Sequence, residues 1–207
     1  MNIKSFLILF CLSYQVVIAQ TKDNYKNGYA LKGGDTIGCK ILYDKNHPRI
    51  WDKVTLLIHN GETIFQAGGP ITEFGITEEG VVAHYGFVRT KTRSYSHHKN
   101  LFVKKITVGV LELYEHHYNI YKTMRGTSNS TFESFTDYYI AKKDSAAPML
   151  ATPVLFSSFR KKDLEPYLKD NTDLLAPAEK RFSLKELIAL INEYNNWYLK
   201  KEKVTVR

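Results

Sequence analysis

The chain has 207 residues, 29 Lys and Arg against 21 Asp and Glu, a formal net charge of +8, and two cysteines. Only Cys39 lies beyond the N-terminal apolar stretch, so a scaffold stapled by internal disulfides is excluded once that stretch is removed, and the fold must depend on its hydrophobic core. The positive charge favours anionic partners but does not specify a fold.

Residues 1–19, MNIKSFLILFCLSYQVVIA, have the pattern of a removable secretory signal. Lys4 supplies the positive start, an apolar stretch follows, and Val17 and Ala19 fit the small-residue rule for a cleavage site. The stretch is shorter and more interrupted than the ~20 apolar residues of a membrane span. We therefore expect export to the periplasm, the outer-membrane surface or the extracellular space. We expect residues 20–207 to form a single domain without a transmembrane span.

The first predicted hairpin lies in YALKGGDTIGCKILY. Gly33, Gly34 and Asp35 have turn chemistry between two short strands. After the turn, Ile37, Cys39 and Ile41 alternate with less apolar residues and form the predicted buried face, so Cys39 is interpreted as a packed thiol rather than a nucleophile.

A second hairpin is predicted in VTLLIHNGETIFQA, where Asn60-Gly61 is a strong turn signal. A two-residue turn at that dipeptide would pair His59 with Glu62, and Leu56 with Phe65. Further strands are predicted from residue 81 to about residue 156, interrupted by the polar segment 91–100.

Beyond residue 157 the hydrophobic period changes to a helical one. Ser183 and Glu186 form a predicted capping box, and the helix that follows carries an apolar stripe. The stripe consists of Leu184, Leu187, Ile188, Ile191, Tyr194 and Tyr198. The sequence therefore predicts an α+β fold. An antiparallel sheet, sandwich or barrel-like, spans about 28–156, and short helices and one C-terminal amphipathic helix follow over about 158–201. The alternative is an all-β sandwich with the last helix detached as a partner-binding arm.

The stretch ELYEHHYNIYK, residues 112–122, concentrates histidine, glutamate and tyrosine. In a strand His116 and His117 point to opposite faces and cannot bind one metal ion together. Glu115 and His117 share a face, and with His84 they are the candidate metal ligands. A zinc site needs three or more protein ligands, and the spacing typical of zinc proteases is missing. We therefore predict no metal and no cofactor.

A basic stretch with interleaved aromatic residues follows residue 90. Its candidate residues for binding an anionic surface are Arg93, Lys99, Lys104 and Lys105. Such a pattern can hold a polyanion, although a run of charge is also typical of a solvated loop. Export argues against nucleic acid as a partner, so a lipid headgroup or an anionic glycan is the preferred ligand.

The sequence contains no phosphate-binding loop, no dinucleotide fingerprint and no Gly-x-Ser-x-Gly elbow. No catalytic residue is assigned. The favoured hypothesis is an exported, non-catalytic envelope protein that binds a protein, glycan or lipid surface. Two alternatives stay open: a small-ligand carrier with a cavity between sheet and helix, and a metal-dependent or other hydrolase built from dispersed His and Glu.

Several segments resemble a known group. A signal that ends in Ala19-Gln20, the opening GYALKGGDTIGCKI, the segment VGVLELYE and the terminal LIALINEYNNWY are similar to small exported proteins of uncharacterised function common in Bacteroidota. The resemblance implies an exported chain with this order of strands and helix. It implies no activity and carries over no functional residues.

Overall fold

The computed structural model describes residues 24–43, 52–59, 61–90, 99–123, 130–143, 152–154, 159–175 and 181–205. The predicted signal at 1–19 lies outside these residues. The chain divides into two compact units, one up to Ala83 and one from His84 onward.

The first unit contains five antiparallel strands. Their order in the sheet is β5-β1-β2-β3-β4. Gly33 and Gly34 form the turn between β1 and β2 as predicted, and both have positive φ angles, which glycine adopts without steric cost. The strands are β1 (Tyr25–Lys32), β2 (Asp35–Leu42), β3 (Lys53–Ile58), β4 (Gly61–Gln66) and β5 (Ile71–Glu78).

The β3–β4 hairpin corrects one predicted register. Ile58 pairs with Gly61 and Leu57 pairs with Glu62, so the turn begins at His59, one residue earlier than predicted. His59 adopts a φ of 48°, a left-handed conformation in which histidine is enriched among non-glycine residues. This turn leaves Gly61 as the first residue of β4. The predicted faces survive, because moving the turn by one residue slides the strands by two positions and preserves the alternation.

The second unit is a meander of antiparallel strands with the order β10-β9-β8-β7-β6. β8 and β9 pair over thirteen positions, from Leu111 opposite Lys142 to Thr123 opposite Ser130. The strands are β6 (Val81–Thr90), which begins at the end of the first unit, β7 (Lys99–Lys105), β8 (Leu111–Thr123), β9 (Ser130–Lys142) and β10 (Thr152–Val154), with a separate pair β11 (Phe159–Arg160) and β12 (Arg181–Phe182).

The helical part follows the meander. It consists of α1 (Lys161–Leu164), a 3₁₀ turn (Thr172–Leu175) and α2 (Leu184–Thr205). The predicted α+β class, an antiparallel sheet with a C-terminal helix, is confirmed. Of the helices described, none has the length and apolar character needed to cross a membrane.

Helix α2 packs on one face of the meander. Its buried positions recur every three or four residues, which places them on one side of the helix. On the sheet side, Leu111, Leu113 and Ile140 are almost completely buried against it. The members of this core are Leu111, Leu113, Ile140, Phe159, Leu164, Leu168, Phe182, Leu187, Leu190, Ile191 and Tyr194.

The start of α2 has the predicted capping box. The Glu186 backbone N–H donates to Ser183 Oγ over 3.3 Å, and the Glu186 carboxylate accepts from the Ser183 N–H over 2.7 Å. The hydrogen bonds from Ser183 lower the pKa of the Glu186 carboxyl. These reciprocal bonds satisfy N–H groups that a helix start leaves without intrahelical partners.

A buried polar residue within α2, Asn195, joins the helix to the sheet. The Leu111 N–H donates to Asn195 Oδ1 over 2.8 Å, and Asn195 Nδ2 donates to the Leu111 carbonyl oxygen over 2.9 Å. A Cβ on Gly109 would lie 2.3 Å from the Asn195 side chain, so glycine is required for this close approach. The pair of bonds fixes the position of α2 on β8.

Candidate functional site

The side chains of β8 alternate between two environments. Glu112, Tyr114 and His116 are completely or almost completely buried on one face. On the other face, the side chain of His117 is 60% exposed and Glu115 is half-buried. The neighbouring histidines therefore lie on opposite faces of the strand, as predicted.

Glu115 and His117, two of the candidate metal ligands, contact each other. His117 Nε2 lies 3.1 Å from Glu115 Oε1, and His117 Nδ1 lies 2.7 Å from Thr136 Oγ1. Tyr138 also donates to Glu115, over 3.4 Å. Burial, together with the nearby Glu115 charge, raises the pKa of Tyr138. Glu115 and His117 are thus both held by neighbouring side chains of the protein.

The third candidate ligand, His84, lies elsewhere. Tyr85 pairs with Lys104, and Lys104 pairs with Glu115, so these three residues share a face of the sheet. Because His84 is next to Tyr85 in the strand, its side chain belongs to the opposite face. Within the part of the chain that the structure describes, no group of three His, Cys, Asp or Glu residues is arranged to hold a metal ion.

The candidate anion-binding residues also lie on different faces of the sheet. Lys99 and Lys104 are exposed on β7, but they lie five positions apart in regular register and therefore point to opposite faces of the strand. Arg93 lies outside the described residues. Lys105 points to the opposite face from Lys104, and its side chain is only 4% exposed. Lys105 is therefore placed to pair with a group inside the protein rather than with an anionic ligand at the surface.

Lys105 belongs to a buried charge cluster, which we define as Lys105, Glu112, Tyr114 and Lys143. Lys105 Nζ and Lys143 Nζ each lie 3.1 Å from Glu112 Oε1. Tyr114 donates a hydrogen bond to Glu112 Oε2. Since a buried carboxylate is tolerated only when paired and hydrogen-bonded, these three partners offset the cost of burying the Glu112 side chain.

Gly86 on β6 makes room for this cluster. A Cβ at Gly86 would lie 2.6 Å from Lys105 Cε and 2.8 Å from a ring carbon of Tyr114. Any larger residue would displace the lysine stem or the tyrosine ring. Glycine at this position therefore leaves room for both side chains.

A second buried group lies further along the same face: His116, Tyr118, Asp137 and Tyr139. Tyr118 donates to Asp137 Oδ2 over 2.7 Å, and Asp137 is directly opposite His116 in the β8–β9 ladder. The His116 ring stacks on Tyr118 with centroids 5.0 Å apart. Burial, followed by the charge of His117, lowers the pKa of His116 to about 4, so its imidazole is neutral at pH 7.

This neutral histidine predicts a pH dependence of stability. The folded-state pKa of His116 lies below the unfolded value of about 6.5, so the unfolded chain binds more protons between those values. Stability should therefore fall as the pH is lowered from about 6.5 to about 4, by up to about 3 kcal/mol. Urea unfolding at a series of pH values measures this slope.

The matched variants for that experiment are His116→Phe and His117→Gln. His116→Phe removes the titrating group from the buried face and should flatten the slope. His117→Gln changes an exposed ring on the other face and should leave most of the slope in place. An unchanged slope in His116→Phe would contradict the assignment.

Cys39 lies half-buried on β2, and burial raises the pKa of its thiol. A protonated thiol is a poor nucleophile, which supports the interpretation of Cys39 as a packing residue. On the buried face of β8, Lys105 pairs with Glu112 and Tyr118 donates to Asp137, while the His116 ring stacks on Tyr118. Their arrangement can hold charge and fix hydrogen bonds inside the sheet.

A scan against protein-family models, a search of curated proteins and a search of solved structures each find no match to this chain.

Proposed function

We propose that this chain is an exported, non-catalytic binding protein that attaches to an anionic envelope surface of lipid headgroups or acidic glycan. One observation carries the proposal: its lysines are divided between two roles. Lys105 is buried against Glu112, whereas Lys99 and Lys104 on the same strand are exposed to solvent.

The exposed lysines continue a basic stretch of sequence. Lys91, Arg93 and Lys99 fall within nine residues, next to His97 and His98. Clustered positive charge attracts anionic surfaces over about one Debye length, roughly 8–10 Å at physiological salt. The net charge of +8 acts in the same direction. An anionic surface is the partner that this distribution favours.

The small-ligand carrier is less well supported. It needs a cavity between sheet and helix, and there Leu113, Ile140 and Ile191 are almost completely buried within one continuous contact cluster. The metal hydrolase needs a third ligand beside Glu115 and His117, and His84 belongs to the opposite face of the sheet.

Binding to vesicles tests the proposal. The protein should sediment with vesicles of phosphatidylcholine and phosphatidylglycerol, but not with phosphatidylcholine alone, and high salt should release it. Arg89→Gln with Lys104→Gln, which removes two exposed cations from one face of the β6–β7 pair, should weaken binding about tenfold or more, since each Lys or Arg near an anionic surface contributes about 1 kcal/mol.

The matched control is Lys162→Gln with Lys169→Gln, which removes the same charge from two exposed residues outside β7. This variant should bind nearly as well as the wild type. Equal losses in both double variants would contradict a specific basic surface. Retention on immobilised alginate without vesicle binding would identify an acidic glycan as the ligand.

A further inference from the structure

β10 and β4, the strands at the two ends of the strand order, differ in how they are protected against pairing with another strand. β10 has only three residues, and its central Pro153 has no backbone N–H to donate. Short strands and prolines are the usual means by which proteins prevent edge-to-edge association. β4 has six residues in unbroken register with β3 and contains no proline. Its outer edge therefore lacks both of these protective features.

β4 is also exposed along its length. Five of its six residues are exposed, and the Ile64 side chain is 57% exposed. No described strand pairs with its outer edge. An exposed, regular edge with an apolar residue at its middle is a template for another strand.

The hairpin geometry shows which backbone groups point outward. A two-residue hairpin closes on a hydrogen-bonded pair, here Ile58 and Gly61, and hydrogen-bonded and non-hydrogen-bonded pairs then alternate. Thr63 and Phe65 consequently direct their N–H and C=O groups toward β3. Glu62, Ile64 and Gln66 direct theirs outward, where a second strand can reach them.

We propose that β4 pairs with β4 of a second copy of this chain, antiparallel and centred on Ile64. In that register Ile64 lies opposite its own counterpart, and Glu62 lies opposite Gln66 of the second copy. The Ile64 pair and the Gln66 N–H then form backbone hydrogen bonds with the other strand. The Gln66 carbonyl oxygen already accepts from the Gly69 N–H over 3.0 Å and has one lone pair left for the second copy. The pairing does not depend on the proposed surface-binding function.

Side-chain chemistry selects this register. Glu62, the charged residue of β4, meets an amide that can donate to it, and no like charges face each other across the dimer. Tyr25 already donates to Glu62 Oε1, and a carboxylate can accept further hydrogen bonds. Centring on Thr63 would place Glu62 opposite Ile64 and would leave the outward groups of Gln66 beyond the paired region.

A single strand pair buries less area than a standard stable interface of ~1,600 Å². The dimer should therefore form reversibly and depend on concentration. Sedimentation velocity of the exported chain over a wide concentration range should show a monomer–dimer equilibrium.

Ile64→Lys tests the centre of the pairing. It places two positive charges opposite each other at the two-fold axis and should raise the dimer Kd about tenfold or more. Val108→Lys is the matched control, because Val108 is 65% exposed and lies outside β4. The control should dimerise as the wild type does, and circular dichroism should show that both variants are folded.

Gln66→Glu tests the register. It places a second carboxylate opposite Glu62 and should weaken the dimer. The double variant Glu62→Lys with Gln66→Glu replaces that repulsion with attraction and should restore dimerisation. A wild-type chain that stays monomeric, or a dimer indifferent to Ile64→Lys, would overturn the proposal. A dimer unaffected by Gln66→Glu would overturn the register.

Discussion

Replacing Glu112 with alanine is expected to lower the free energy of unfolding by about 3–5 kcal/mol, because it leaves the buried Lys105 ammonium without its counter-charge. The Tyr114 hydroxyl loses its acceptor at the same time. Lys143 should contribute little to the loss, since its half-exposed side chain can turn to water. Urea unfolding at pH 7 measures the change.

Two variants show whether charge burial is the cause. Glu112→Leu combined with Lys105→Met removes both charges and should recover most of the stability, since buried pairs replaced by apolar residues of similar volume are often neutral. Glu193→Ala, in an exposed part of α2, should cost little. A double variant as unstable as Glu112→Ala would show that shape, and not charge, determines the loss.

Gly109→Ala is expected to cost about 2–4 kcal/mol of stability, although it adds only one methyl group. The added carbon would lie 2.3 Å from Asn195 and would push its amide away from the Leu111 backbone. Both bonds between α2 and β8 would then be lost from a buried position. Thermal and urea unfolding measure the loss.

Gly38→Ala is the matched control, because no heavy atom lies within 4 Å of the added carbon there. It should be neutral or slightly stabilising. Asn195→Ala should cost a similar amount to Gly109→Ala, and the two should not add, since they disrupt the same contact. Additive losses would contradict the coupling.

Local patterns predicted the features that depend on neighbouring residues. The separation of His116 and His117 follows from the alternation of a strand, and the Ser183–Glu186 cap follows from helix geometry. The sequence pattern placed the β3–β4 turn one residue too late, at Asn60-Gly61. The Asn-Gly signal is strong, whereas nothing in the pattern indicates that His59 adopts a positive φ. Both turns satisfy the same hydrophobic faces, so hydrophobic pattern alone could not choose between them.

The buried charge cluster could not be predicted from such patterns. Lys104 and Lys105 look equivalent in the sequence, yet one is exposed and the other pairs with Glu112. Their difference depends on the pairing of β7 with β8, which places Lys105 opposite Tyr114 on the face of Glu112 and Lys104 opposite Glu115 on the other face. Asp137 reaches Tyr118 through the β8–β9 register, which no local pattern specifies.

The pairing of β1 with β5 has a consequence for the order in which the first unit assembles. In β1 to β4 each strand pairs with the next strand in the sequence. The other edge of β1 pairs with β5, which is distant in sequence, as in the pair Gly28 and Ile76. Closing a longer loop costs more chain entropy, so local hairpins form earlier. As the chain emerges during synthesis, β1 therefore keeps an unpaired side until β5 arrives. That interval is when the nascent unit is most exposed to mispairing.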